Sequence, residues 1–450
     1  MAKVKNMTSG KPMTIILAYF WPVLCSTLFQ QCYSLIDSIV VGKGIGDDAL
    51  GAVGASGSIM FFIFGFIMGM ASGIAIMVSQ SFGAENYAKL RKSITMGFIT
   101  CGSVALLIMC VGLACIRPLL IVLKTDSTIL DDALLYIVII IVGIPLTFLY
   151  NYFGQILNAL GDSKTPFLAV VVASGINVVL DIAFIMVVGM GVEGAALATL
   201  IAQFCSAIFC FNQLRKIPFL KLSKKDWIIN FSTIKDIIKI GVPVAFMNSI
   251  TAIGAIVLQY FVNGLGLAYM SAYAACSKIT QFMSQPSTAV GMTMNTYAGQ
   301  NYGAGSYDRI KRGLFDGAKL SFIITVIGTV MLVGFPQALS KIMLSDAFNI
   351  KISSEYLVIN GVMLWSLCFL FLVRSTCQGM GFTFVPMISG ILELVARVGV
   401  VIIFIDRFQF SAIAAAGTTA WFAALVLNGV YLFIILRGFK RIPQTDIVAE

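Results

Sequence analysis

Gln80-Ser81-Phe82-Gly83-Ala84 returns 220 residues later as Gln300-Asn301-Tyr302-Gly303-Ala304. At the same offset Tyr87 falls on Tyr307, and the basic trio Lys89, Arg91 and Lys92 falls on Arg309, Lys311 and Arg312. Gly161 and Pro166 fall on Gly381 and Pro386, Ala195, Ala196 and Thr199 on Ala415, Ala416 and Thr419, and Gly44 and Gly46 on Gly264 and Gly266. An offset that holds across half of a 450-residue chain marks an internal duplication. In a membrane protein, two homologous halves commonly make two bundles with a site between them, which is the architecture of a transporter.

Composition puts the chain in a bilayer. Of its residues 59% are hydrophobic and only 11% charged, more apolar surface than a soluble chain can hide. Apolar stretches of about 20 residues or more recur, long enough to cross as helices. They predict twelve spans, six per half, and an all-α integral membrane protein. The stretches are continuous rather than alternating, which excludes a β-barrel.

The net charge of +10 is a topology signal, not a nucleic-acid surface. With twelve spans, one side collects Lys3, Lys5, Lys11, then Lys89, Arg91, Lys92, then Lys216, Lys221, Lys224, Lys225, then Arg309, Lys311, Arg312, and finally Arg437, Lys440 and Arg441. The other side carries Asp47, Asp48, Asp126, Asp131, Asp132 and Asp346. The bias predicts a multi-pass protein of the cell (inner or plasma) membrane with both termini in the cytoplasm. The first apolar stretch, Met13 to Val41, is too long for a cleavable signal peptide. Of the ten cysteines, Cys25, Cys101, Cys110, Cys205, Cys210 and Cys368 lie inside apolar spans without ligand spacing, so they read as small buried hydrophobes. With no histidine, His-based catalysis and most zinc sites are excluded.

The expected division is an N-lobe over residues 1–215, a polar cytoplasmic linker over 216–234 with Trp227 at the interface, and a C-lobe over 235–450. Pro22, Pro145, Pro243 and Pro286 fall inside predicted helices 1, 4, 7 and 8, where each either kinks its helix or tunes packing. Gly69 and Gly73 suit close helix contact.

Ionisable groups deep in a membrane cost roughly 2.5–3.5 kcal/mol each, so those present carry information. The acids are Asp37, Asp181 and Glu393; the cations are Lys278, Arg374 and Arg397. Asp37 and Asp181 have no basic neighbour in the membrane part of their half. Asn177 sits one turn before Asp181, and Thr199 one turn before Gln203. Two carboxylates with amide and hydroxyl oxygens suit Na⁺ or a shared proton; the alternative is that each acid bonds backbone groups of a broken helix. Glu393 and Arg397, spaced i, i+4, read as a self-neutralised structural pair that Lys278 could join. Asn151, Gln155 and Asn158 either line an aqueous path or bond a neighbouring helix. No phosphate loop and no nucleophile–base pair occurs, so an enzyme is not expected and no cofactor is implied.

The residues resemble a family. Asp37-Ser38-Ile39-Val40-Val41-Gly42, Gly161-Asp162-Ser163-Lys164-Thr165-Pro166, Asn177-Val178-Val179-Leu180-Asp181 and Gly299-Gln300-Asn301-Tyr302-Gly303-Ala304-Gly305 are similar to stretches of the MATE (multidrug and toxic compound extrusion) transporters, most nearly the prokaryotic DinF-like branch. The resemblance implies two six-helix lobes forming a V around a central cavity, a monomer, and export driven by Na⁺ or H⁺. It carries the N-lobe coupling cluster of that branch onto Asp37, Tyr136, Asn177, Asp181 and Thr199. Another branch has an acid on helix 7; here the nearest residue is Asn248, which favours the N-lobe.

These readings lead to a cation-coupled antiporter that exports amphipathic, often cationic, organic compounds by alternating access, with Pro22 weakening helix 1 as a gate. The alternative is a flippase for a lipid-linked oligosaccharide, against which stands the lack of cations in the membrane part of the first half. A membrane enzyme or scaffold has no constellation behind it.

Overall fold

The computed structural model describes residues 4–45, 47–122 and 129–439. Lys3, Gly46, Asp126, Lys440 and Arg441, used above for topology and register, lie outside them. Where water cannot satisfy the backbone, long apolar stretches must satisfy it internally, and they do so as helices. In the first half these are α1 (Pro12–Gly44), α2 (Asp47–Gly83), α3 (Tyr87–Val122), α4 (Leu130–Val142), α5 (Ile144–Ala159), α6 (Lys164–Asp181) and α7 (Val192–Leu214). The second half has α8 (Phe231–Leu265), α9 (Leu267–Gly303), α10 (Tyr307–Gly334), a short α11 (Pro336–Lys341), α12 (Ala347–Val362), α13 (Leu364–Gly379), α14 (Phe384–Phe408) and α15 (Phe410–Gly438). No strand occurs among the described residues.

Nine helical segments are long and apolar enough to span singly, and α4–α5 and α12–α13 do so as pairs bent by 49° and 46°. With the 37-residue, more polar α9, this accounts for twelve spans among the described residues. The bends were not foreseen. Pro145 does not kink a helix from within; it sits in the first turn of α5, just after the break at Gly143. The second break, at Met363, falls 220 residues later without a proline, so the bend belongs to the repeated fold and not to proline alone.

The backbone repeats the duplication elsewhere. Positive φ occurs at Gly161 and Gly381 (82° and 88°), at Glu85 and Gly305 (55° and 66°), and at Gly189 and Gln409 (77° and 45°), each pair 220 apart. Gln409, with ψ −119°, holds a conformation natural only to glycine, between α14 and α15. Gln409→Gly is expected to raise stability by about 1 kcal/mol, read as a higher thermal midpoint in detergent. The substitution forfeits only an exposed bond from the Tyr269 hydroxyl to the Gln409 amide oxygen.

The chain forms two compact units, Met1–Asn6 with Trp21–Ala245, and Met7–Phe20 with Phe246–Glu450. The linker and the start of α8 thus group with the first half, and residues 7–20 with the second. Unit 1 packs Phe148, Tyr152, Ile137, Ile141 and Leu157 at its centre, unit 2 Leu357, Leu364, Cys368 and Ile413. In unit 1, α2 meets the first half of α8 through small residues. A Cβ on Gly69 would stand 2.3 Å from the Ala245 Cα, and one on Gly73 2.3 Å from the Gly241 Cα. Gly73→Leu must separate these backbones and is expected to cost about 1–3 kcal/mol, read by thermal unfolding.

The family-like motifs prove to be fasteners. Gly161 ends α5 with its α-carbon against the Lys5 carbonyl oxygen, which a Cβ would approach to 2.2 Å. Asp162 then accepts from the Lys164 and Thr165 amides, both at 3.1 Å, at the start of α6. In unit 2, Gln300 accepts from the Met7 amide at 2.8 Å, and Asn301 donates to the Met7 carbonyl at 3.2 Å. Arg309 donates to Asn301 at 2.9 Å, to the Met7 carbonyl at 3.1 Å and to the Gly10 carbonyl at 2.9 Å.

The linker holds two short 3-10 helices, Pro218–Leu220 and Lys224–Trp227. Asp226 pins the second: it accepts from the Ser223 amide at 2.7 Å and pairs with Arg91 at 3.6 Å, while its carbonyl accepts from Thr95 at 2.5 Å. Burial opposes its ionisation, but the Ser223 bonds and the charges of Arg91 and Lys92 hold its carboxyl below the usual carboxylate range.

Candidate functional site

Four helices of unit 1 bring a set of oxygen atoms together. From α1 come Tyr33 and Asp37, one turn apart on one face; from α4 comes Tyr136, from α6 Asn177 and Asp181, and from α7 Thr199. Asn177 and Asp181 are fully buried, and Asp37 is half-buried. Asn177 donates to the Thr199 hydroxyl at 3.3 Å, and Tyr33 shares a 3.4 Å bond with the same hydroxyl. The carboxylates of Asp37 and Asp181 are close enough to act on each other electrostatically, and both act on the phenols of Tyr33 and Tyr136. Tyr136 also packs on the small apolar cluster of Val40, Val41, Ile185 and Val192.

The cluster is short of donors. Both carboxylate oxygens of Asp181, Oδ1 of Asp37 and Oδ1 of Asn177 are buried without a hydrogen-bond partner. Neither acid pairs with a cation among the described residues. Buried oxygen acceptors in this number are costly unless something positive meets them. Their chemistry fits a hard monovalent cation or a proton, since every available atom is oxygen.

Immediately after Asp181 the backbone leaves the α-helical pattern for a π-helical turn over Ile182–Val187. Such turns are rare and recur at functional positions, because the widened turn frees a carbonyl and shifts the facing side chains. The equivalent α14 runs to Phe408 without one.

A cavity of about 340 Å³ in unit 1 adjoins the cluster through Tyr33 and Thr199. Its polar lining is uncharged and includes Gln30, Asn151 and Gln203, set among Phe64, Met68 and Tyr150. Gln203 accepts from the Thr147 hydroxyl, and Asn151 donates to the Thr147 carbonyl at 2.8 Å. Asn151 therefore both lines the space and bonds within its own helix.

Unit 2 answers the same positions differently. At the 220-residue offset Asn177 becomes Arg397, Asp181 becomes Val401 and Asp37 becomes Val257. Glu393 lies between two guanidinium groups, 3.0 Å from Arg374 and 3.5 Å from Arg397. The expected pair is thus a triad with Arg374 as the nearer partner, and Lys278 does not join it: its side chain is exposed and forms no ion pair among the described residues. Lys278 lies on α9, and the triad is held from α13 and α14. Tyr33 was also missed, although its i, i+4 spacing from Asp37 marked it. Pro22 sits within α1, which continues as helix past it, two residues beyond the point at which α1 passes from one unit to the other.

Comparison with known proteins fits this picture. The MatE family model matches twice, over residues 22–183 and again over 243–403. A probable multidrug resistance protein YpnP of Bacillus subtilis is 26% identical over 79% of this chain and 80% of its own length. A probable multidrug resistance protein NorM of Thermotoga maritima is 25% identical over 88% of this chain and 86% of its own. The crystal structure of MATE in complex with MaL6 superposes with a TM-score of 0.91 at 21% identity, covering 98% of this chain and all of that one. With the family model covering most of the chain in two copies, and the fold shared end to end, the protein belongs to the MATE family of multi-pass membrane transporters and is not an enzyme.

Proposed function

We propose that the protein is a cation-coupled antiporter that exports small, amphipathic organic compounds from the cytoplasm. The observation that carries this reading is the group of orphaned oxygens on Asp37, Asn177 and Asp181, buried with no cation among the described residues to explain them. Na⁺ or a proton bound there removes the repulsion between the two carboxylates and so favours one conformation of the surrounding helices over another. That difference in affinity between two states is what coupled transport requires. Thr199, Tyr33 and Tyr136 complete the coordination or proton-sharing set.

The adjoining cavity, with aromatic and Met walls and uncharged amide groups, suits an organic substrate held by shape and dispersion rather than by a fixed counter-charge. A lipid-linked pyrophosphate finds no cation in that lining. The curated relatives named above, called multidrug resistance proteins, agree with drug-like cargo. The excess of Lys and Arg in the loops supports an orientation with both termini and the linker in the cytoplasm. Pro22, on the helix that carries Asp37, supplies the weak point at which α1 bends when the site fills.

The test is efflux of a fluorescent organic cation from proteoliposomes carrying ΔpH alone, ΔNa⁺ alone or neither. Efflux under one imposed gradient and none without it supports the reading. Equal efflux in all three conditions overturns it.

A further inference from the structure

A second cavity in unit 1, also about 340 Å³, has no part in the site described above. It lies where the start of α3 meets the middle of α5 and the second half of α7, beside the linker. Its walls are Phe98, Tyr152, Phe153, Phe204 and Phe211 with aliphatic neighbours, and Leu222 and Trp227 of the linker close one end. The α7 lining runs from Phe204 to Phe211, seven residues, so the groove reaches about 10 Å along the helix axis. That depth suits a hydrocarbon chain running into the bilayer.

The mouth of this groove is positively charged. Residues 215–225 contain Arg215, Lys216, Lys221, Lys224 and Lys225 and no acid. The Arg215 guanidinium stands 5.8 Å from the centroid of the Phe211 ring, a wall of the groove. Arg215, Lys221, Lys224 and Lys225 are exposed and form no ion pair among the described residues. The roof is also fixed in place, which a passive contact with lipid does not require. Trp227 meets Phe98 edge-on at 6.1 Å, Lys92 donates to the Ile228 carbonyl, and Arg91 and Thr95 hold Asp226. An aromatic groove of definite volume, roofed by a pinned turn and rimmed by unpaired cations, is complementary to an amphiphile with one apolar tail and an anionic head.

We propose that the groove binds one anionic phospholipid of the leaflet beside the linker, its acyl chain among Phe98, Phe153 and Phe211 and its phosphate against Arg215 and the linker lysines. The bound lipid ties the linker to the bundle. Charge selects it, since a zwitterionic lipid gains the same apolar contact without net attraction to the rim.

Trp227 reports on this site once the other three of the four tryptophans are removed as Trp21→Phe, Trp365→Phe and Trp421→Phe. The purified full chain is reconstituted in bilayers containing phospholipid brominated midway along the acyl chain, either phosphatidylglycerol or phosphatidylcholine, at equal mole fraction. Brominated phosphatidylglycerol is expected to quench Trp227 at least twofold more strongly. The preference is expected to shrink in high salt and to vanish when Arg215→Gln, Lys221→Gln, Lys224→Gln and Lys225→Gln are combined. Ala207→Phe fills the groove without altering charge and is expected to lower quenching by both lipids. Equal quenching by the two lipids shows ordinary boundary lipid and overturns the proposal. So does a preference that survives loss of the four cations, and so does the absence of quenching by either lipid, which means the groove is filled by something else.

Discussion

Asp181→Asn is expected to abolish gradient-driven efflux while leaving the protein folded and in the membrane, and Asp37→Asn to do the same. The two carboxylates are the only part of the unit 1 cluster whose charge changes on binding a proton or offsets that of Na⁺. Both Asp181 oxygens and Oδ1 of Asp37 lack a donor, and neither carboxylate forms an ion pair among the described residues, so little native structure rests on their charge. Neutral asparagine keeps the shape and removes a membrane charge worth roughly 2.5–3.5 kcal/mol of insertion cost. Thermal midpoints are therefore expected to be unchanged or higher, with transport lost by about two orders of magnitude. The check pairs efflux from proteoliposomes with melting of the same preparations. Retained ion-driven efflux in both variants sinks the coupling assignment, whereas loss of efflux with a collapsed midpoint means the acids are structural.

Glu393→Gln is expected to have the largest effect on stability of any single substitution considered. Its carboxylate is 3% exposed, and the arginines on either side are 8% exposed. Its removal leaves two buried guanidinium groups facing each other, and losing one partner of a buried ion pair costs about 3–5 kcal/mol. Arg397→Gln is expected to cost less, because Arg374 keeps its 3.0 Å bond to Glu393 and the Nε of Arg397 is already without a partner. The triple neutral variant should be milder than the sum of the singles. Melting of Glu393→Gln, Arg374→Gln, Arg397→Gln and the triple variant measures this, and strict additivity would show that the groups do not interact.

Much of the fold was legible because the bilayer leaves few choices. An unbroken apolar run of adequate length has to become a helix, and the copied motifs showed that the arrangement occurs twice. The bends at Gly143 and Met363 were not legible. One has a nearby proline and the other has none, so composition gives no common signal. The π-helical turn was hidden for a similar reason: Ile-Ala-Phe-Ile-Met-Val reads as any apolar helix, and only the hydrogen bonds set it apart. Within the candidate site, spacing joined only residues of one helix, and it took the family resemblance to bring Asp37, Tyr136 and Thr199 to them. Asn177 and Asp181 share one helix face, so their spacing joined them. Arg374 reaches Glu393 from another helix, so i, i+4 logic found Arg397 and passed over the nearer partner. The Gln300-Asn301 motif, the most distinctive in the chain, marks the grip on Met7 and not the chemistry.

That grip sets an order of events in the making of the protein. Residues 7–20 leave the ribosome long before their partners Gln300, Asn301 and Arg309, which lie nearly 300 residues later. At about 5–20 residues per second, roughly 15–60 s of synthesis separate them. Throughout that interval the amino-terminal segment stays undocked, although the rest of its own helix can already pack in unit 1. The second bundle is therefore completed by a segment made before nearly all of the first bundle. Expressed alone, it would lack the strand of sequence that closes it, even though it contains every residue after the linker.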